Sequence, residues 1–527
     1  MKKTLIKLSS IIAIIGGLTG CQDKLSELYL NPEQTTTPSI EKFFTQILNN
    51  DRVYPKYWEM RTFVVMHPGI YTQAVSFLND NLRYQQQLSY TEQRWGDFYT
   101  TNGNGSGPVS HFREIEKMYA TLSAADKKNA DVFVNAAKVA FLDQSAQMVD
   151  LWGDIPFSQA GGINLSGSII SPKFDASKDV YNAVITGLKD AAAYFATASL
   201  DATTAGSFKK QDIILNGDLD KWRRLANSLR LRALMRISFV DEARAKTEIM
   251  EMLGNPTQYP LVEESTQNVY LNPLTNYTST LRDAFNDLSS NLATPYLLDN
   301  VLKPAKDPRI DVIYDKFGHT EGSKWVANSD YNSMPLNISS AVQSANIASG
   351  KYATLDSATF LYNSKLPGVI FTASETNLLK AEAFERWGNT TDAMTAYNKG
   401  VTQSVNYYYY LNSISSSSPK VPAPSAADIN NFVTTSTIRY SGSSAQKLAL
   451  IWTQKWVQFG FMQSVQSWSE LRRTKYPQLS FVADNSPGVE LPPNRLVYPA
   501  REKTFNPNYS AVASQDTRAT KIFWDVK

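Results

Sequence analysis

The stretch LLKAEAFERWGNTTDAMTAYNKG, residues 378–400, decides the fold. Small Ala381 and aromatic Phe384 share one helical face, three residues apart. Gly388 supplies the left-handed residue that ends this first helix. Asn389 to Asp392 form a turn, and Ala393, Tyr397 and Gly400 return on a second helix. Small residues at facing positions let two backbones approach, and the aromatic rings fill the groove between them. The expectation is an antiparallel helical hairpin.

That spacing resembles the tetratricopeptide repeat, and the flanking sequence repeats the habit. In residues 133–152, Phe133, Ala136, Ala137, Ala140, Phe141, Gln144, Met148 and Leu151 recur at three- and four-residue steps. Residues 174–195 do the same with Tyr181, Val184, Ile185, Leu188, Ala192 and Phe195, behind Asp175 and Ser177 as cap candidates. Trp222, Leu225, Leu229 and Ala233 form one stripe in 218–238. Leu448, Trp452, Trp456 and Phe459 line a long helix expected to stop before Pro477. The fold class is therefore mainly α, a tetratricopeptide-like helical scaffold. The helix tryptophans Trp222, Trp387, Trp452 and Trp456 are assigned to its core. Residues about 50–112, 255–370 and 411–429 are rich in Asn, Ser, Thr, Tyr, Pro and Gly and lack sustained periodicity; they read as loop-rich insertions. No domain boundary stands out, so 39–527 reads as one body.

The start of the chain has a different grammar. Lys2, Lys3 and Lys7 precede the apolar run 8–18, which is too short to span a bilayer, and residues 1–20 read as an export signal. Leu18-Thr19-Gly20-Cys21 resembles a bacterial lipobox. On that reading Cys21, the only cysteine, is lipidated, and polar residues 21–38 form a tether. Several acyl chains anchor durably where one does not. No thiol then remains for a disulfide, a zinc site or a nucleophile.

The formal net charge of +3 falls to zero when the three signal lysines leave, with 49 basic and 49 acidic residues remaining. A neutral chain has no long-range attraction for polyanions, so nucleic acid is not an expected partner. His67, His111 and His319 are scattered without ligand spacing, and no phosphate loop or nucleophile elbow occurs. The expectation is no cofactor and no metal site, with a loop-bracing calcium left open. Paired carboxylates for glycoside hydrolysis need only lie about 5 to 9.5 Å apart in space; Asp97 and Asp154 are the acids to check. Arg223, Arg224, Arg230, Arg232 and Arg236 share one helix and are read as framework, bridging to carboxylates such as Glu375 and Glu382. Arg472 and Arg473 are read as closing a helix C-terminus, where the dipole favours positive charge.

Taken together, WGDIPFSQA (152–160), KWRRLANSLRLRALMR (221–236), residues 378–400, TQKWVQFGFMQSVQSWSELRRTKYP (453–477) and RLVYPAREKTFNPNY (495–509) resemble the SusD/RagB family of Bacteroidetes lipoproteins, as does Asn31-Pro32-Glu33. The resemblance spans nearly the whole mature chain. It implies a non-enzymatic nutrient-binding lipoprotein of the outer membrane. Such a protein captures an oligosaccharide, or in some members a peptide, over a SusC-type TonB-dependent barrel and closes as its lid. Surface display follows acidic residues after the lipidated cysteine; here Asp23 and Glu27 are a diluted version. A helical glycoside hydrolase and a purely structural envelope lipoprotein are the readings from other classes.

The shared motifs belong to the scaffold, so ligand contacts must come from physics. A glycan offers apolar C–H faces for aromatic rings and a fringe of hydroxyls for amides and charged groups. Aromatics in the irregular segments are the candidates: Tyr57, Trp58, Tyr71, Trp95, Tyr99, Trp325 and Tyr331. Asn79, Asn81, Arg83 and Asn328 are the hydroxyl partners.

Overall fold

Residues Ala373–Trp387 and Thr390–Ser413 form the expected antiparallel hairpin, at the centre of a mainly helical molecule. The computed structural model describes residues 38–527 except 77, 79–82, 102–106, 168 and 274–280, so Cys21, Asn79 and Asn81 lie outside the described residues. The longer helices are α1 (Ile40–Leu48), α2 (Leu88–Tyr99), α3 (Pro108–Thr121), α4 (Ala124–Trp152), α5 (Ser177–Thr197), α6 (Ala202–Gln211), α7 (Leu219–Arg236) and α8 (Glu242–Gly254). They continue with α9 (Ser340–Ala348), α10 (Ala373–Trp387), α11 (Thr390–Ser413), α12 (Ala426–Thr435), α13 (Ser444–Phe459) and α14 (Ser464–Thr474). Strands occur as two-stranded antiparallel ribbons: β1 (Ile155–Pro156) with β2 (Phe174–Asp175), β3 (Val269–Leu271) with β8 (Gly368–Phe371), β4 (Tyr314–Asp315) with β7 (Thr354–Leu355), and β5 (Gly318–Glu321) with β6 (Lys324–Ala327).

Gly400 of α11 shows why the hairpin closes tightly. A Cβ there would sit 2.9 Å from the Leu378 side chain on α10. The Ser374 hydroxyl also donates to the Gly400 carbonyl at 2.8 Å. The turn is shorter than expected. Asn389 itself caps α11, accepting from the Asp392 amide, and Gly388 has a φ of −110° rather than a left-handed one. Helix α10 serves two hydrophobic cores. Leu379 and Ala383 join the core of α1, α4, α5 and α7, whereas Leu378 and Ala381 join the core of α11, α13 and residues 281–314.

Buried ion pairs hold these layers in register, as the arginines of α7 suggested. Arg232 grips Glu375 of α10 through two hydrogen bonds of 2.6 and 2.7 Å and reaches Asp143 of α4 at 3.1 Å. Arg473 was expected to serve only its helix C-terminus. It instead binds Glu382 at 2.7 and 2.8 Å and Glu470 at 2.7 and 2.9 Å. Lys455 of α13 joins both carboxylates, at 3.1 and 2.5 Å, and Arg236 closes on Glu470. Burial alone would raise the Glu382 carboxyl, but Arg473 and Lys455 more than offset it and hold it at about 2. Removing one member of such a network strands a buried charge, at a cost of about 3–5 kcal/mol. Arg472 turns instead to backbone carbonyls of Asp150 and Asn494, each at 2.8 Å.

Three further expectations change. The helix before Pro477 is two helices, broken at Gly460, whose φ of +46° an L-residue adopts with strain. Segment 50–112 is largely helical, with a π-helix over Met60–Gly69 followed by α2 and α3. Most residues of that π-helix are buried on every side, so no amphipathic stripe marks it. Segment 411–429 is a loop only over 414–425, between α11 and α12.

Candidate functional site

Burial sorts the candidate aromatics. Trp58 and Trp325 are each 54% exposed, and Tyr57 and Tyr331 are half-buried. Tyr71 is fully buried against Trp468, with ring centroids 5.1 Å apart. Trp95 is buried against Trp152 and donates to Glu502 at 3.1 Å. The Tyr99 hydroxyl donates to the Pro156 carbonyl at 3.0 Å. Those three are framework, as large aromatics more often are. Two of the hydroxyl partners are framework as well. Arg83 is buried beside the Tyr84 ring, and its amide donates to Asp484 at 2.7 Å. Asn328 donates to the Lys316 and Gly350 carbonyls at 2.9 and 2.8 Å, closing the base of the β5–β6 hairpin.

The exposed residues form two clusters. In the first, Tyr57 and Trp58 meet edge to face at 5.1 Å at the head of the π-helix. The Tyr57 hydroxyl donates to Asp287, which raises the Tyr57 pKa, and Arg61 approaches the same carboxylate at 3.4 Å. Asp287 follows the short helix Leu281–Asn286, on which Arg282 lies over the exposed ring of Tyr362 at 5.3 Å. In the second cluster, β5 and β6 pair Thr320 with Trp325. Phe317, exposed and left-handed at φ +61°, meets the Trp325 ring edge-on at 5.3 Å. Such backbone costs an ordinary residue of order 1 kcal/mol. Tyr331 donates to Asp311 at 2.7 Å while Lys316 lies 5.4 Å from its ring. Burial and then Asp311 raise the Tyr331 pKa.

Each cluster thus combines an apolar ring face with charged and hydroxyl groups at its edge. That combination can cover the C–H face of a sugar ring and bond its rim. The acids worth checking for hydrolysis are occupied elsewhere: Asp97 is buried against Arg52, and Asp154 accepts from the Ser177 amide at 2.7 Å, capping α5. The expected cap residue Asp175 accepts instead from Phe157 and Ser158. Among the described residues no group of three or more His, Cys, Asp or Glu could hold a metal, and no helix is long and apolar enough to cross a membrane. His67 is structural: fully buried, it accepts from the Gln87 amide at 3.0 Å, and burial lowers its pKa to about 4.

The family model SusD-like_2, described as "Starch-binding associating with outer membrane", matches residues 32–499. The chain belongs to the SusD-like family. SusD-like proteins are thus grouped by what they bind and where they associate, not by a reaction. Among solved structures, a chitin-binding protein superposes with a TM-score of 0.72 at 22% identity, covering 93% of this chain and all of the other. A chitin-binding SusD homolog from Flavobacterium johnsoniae gives 0.70 at 21% identity, covering 93% and 99%. A SusD homolog from Bacteroides thetaiotaomicron gives 0.66 at 19%, covering 93% and 100%. At these identities the likeness carries the fold. No curated sequence compared with the chain matches it.

Sequence reasoning missed several members of this SusD-like surface, namely Phe317, Asp287, Arg282 and Tyr362. Phe317 stands between Lys316 and Gly318 in a stretch without helical period; the Gly322-Ser323 pair, a two-residue hairpin signal, was what the sequence offered there. The other three depend on contacts between segments distant in sequence, which no local pattern reports.

Proposed function

We propose that this SusD-like chain is a cell-surface receptor that captures oligosaccharides. It delivers them to a SusC-type TonB-dependent barrel, closing over the barrel as a lid. In this reading residues 1–20 are removed, Cys21 carries the lipid, 21–38 form the tether and 39–527 form the receptor body. The observation that carries the glycan assignment is the exposure of Trp58 and Trp325, each beside a second ring and polar side chains. The family description supports a glycan ligand and the outer membrane. The starch and chitin named for the family and for two of its solved relatives suggest a neutral glycan first. A scaffold braced by buried ion pairs suits a lid, because hinge closure is transmitted only by a body that does not deform.

Calorimetry with malto- and chito-oligosaccharides tests the assignment. Binding should be lost in the Trp58→Ala/Trp325→Ala double variant with its melting temperature unchanged. Parental affinity in that variant, or heat from peptides alone, would overturn the glycan reading. Sugar release by the purified protein, abolished by a single carboxylate replacement, would replace it with a hydrolase. Cys21→Ser should move the protein from the membrane fraction to the soluble one. Co-purification with a barrel protein from the native membrane tests the partner.

A further inference from the structure

A groove of 540 Å³ runs between the π-helix Tyr296–Leu302, the loop joining α12 to α13, and the chain after α14. It continues past Pro304, Thr437 and Arg439 into a second hollow of 560 Å³. None of its lining residues belongs to the Trp58 or Trp325 clusters. Two half-buried tyrosines line it. The ring of Tyr296 rests edge-on against Trp456 at 5.9 Å, and that of Tyr476 lies 5.4 Å from Trp452.

The floor holds an unusual donor. Gln454 of α13 is 1% exposed, and its Oε1 accepts from Arg309 at 2.7 Å, which fixes the orientation of the amide. Its Nε2 is left without a hydrogen-bond partner among the described residues. A buried donor left unpaired is destabilising, and an acceptor on a bound molecule relieves it. At the rim, Arg439 and Lys306 are exposed and make no ion pair among the described residues. Among the described residues the only carboxylate lining either hollow is Asp428, which is held in the N-terminal cap of α12, accepting from the Ser425 hydroxyl at 2.6 Å. The groove is therefore positive at one end, aromatic in its first hollow, and supplied with an unused donor at its base.

We propose that this groove is a second saccharide site, for a sugar unit bearing a carboxylate. The ring packs along Tyr296 and Tyr476, an oxygen accepts from Gln454 Nε2, and the carboxylate takes the two-pronged bond that a guanidinium offers. The acidic charge separates this site from the exposed tryptophans, where the neutral glycan is placed.

The whole mature chain should bind trigalacturonate saturably in calorimetry, and more weakly as salt rises. Arg439→Gln should weaken that binding about tenfold, through the loss of the two-pronged, charge-assisted contact. Gln454→Leu should weaken it too, and galactotriose should bind Arg439→Gln and the parent alike. Trp325→Ala should leave trigalacturonate binding unchanged. Arg439 is exposed, so its variant keeps the fold, and unchanged melting verifies this. Parental affinity in Arg439→Gln, or no saturable heat from the parent chain, would overturn the proposal. Failure of the first glycan reading would show separately, as equal binding of neutral glycans by the parent and Trp325→Ala.

Discussion

The hairpin of α10 and α11 and the hairpin of β5 and β6 treat their polar groups in opposite ways. Around α10, carboxylates and guanidiniums are buried and satisfied by one another, as in Arg232 with Glu375 and Arg473 with Glu382. Around β5 and β6, the charged side chains of Lys316, Glu321 and Lys324 stand in solvent beside uncovered rings. Internal satisfaction makes a region rigid and indifferent to ligands. A ring left half in water holds binding potential in reserve. The contrast separates residues that should control folding from residues that should control capture.

The harshest way to break it is Glu382→Ala, which leaves the buried Arg473 and Lys455 sharing Glu470 alone, with Arg236 on the same carboxylate. A loss of about 3–5 kcal/mol is expected, measured as the shift in urea midpoint. Next comes Gly400→Ala, which forces a methyl toward Leu378; overpacking of this kind costs about 1–3 kcal/mol. On the capture side, Trp325→Ala should cost about 2 kcal/mol of glycan binding, the scale of an aromatic anchor, while stability moves by less than about 0.5 kcal/mol. If Trp325→Ala unfolds the protein, or Glu382→Ala leaves it intact, the division fails.

A last comparison runs through pH. Asp356 sits where the β4–β7 ribbon meets α11; it is buried and accepts from the Thr359 amide at 2.5 Å and from Asn412 at 3.2 Å. Burial, with the Asp315 carboxyl beside it, raises its pKa to about 7. Between the usual carboxylate range and 7 the folded chain holds a proton that the unfolded chain has lost, so stability falls as pH rises from about 4 to 7 and then levels. Glu382 has the opposite sign. Held at about 2, it contributes stability fully above the usual carboxylate range, and that contribution is lost as pH falls toward 2. Between about 4 and 7 the parent should therefore lose stability relative to Asp356→Asn as pH rises, over a background common to both that includes the buried His67, and both should keep the acid limb. An unchanged slope would remove Asp356 from the account.

Helix periodicity made the scaffold legible, because burial on one face writes a repeating pattern into a single segment. The same logic placed Trp222, Trp452 and Trp456 in the core, while Trp387 turned out half-exposed, donating to Glu242 at 2.9 Å. The π-helix Met60–Gly69 was not legible, since a segment buried all round shows no stripe. Exposure was legible least. Tyr71 and Trp325 both stand in segments without a helical stripe, yet one is sealed against Trp468 and the other rides a hairpin. What separates them is the company each keeps from remote segments.

Helix α10 lends opposite faces to both hydrophobic cores, so neither can melt and leave the other whole. Heat should find one cooperative transition rather than two steps. A protease cutting the exposed loop over 414–425 would sever the chain without severing that shared wall. The two fragments would remain bound as one particle until denaturant parts them.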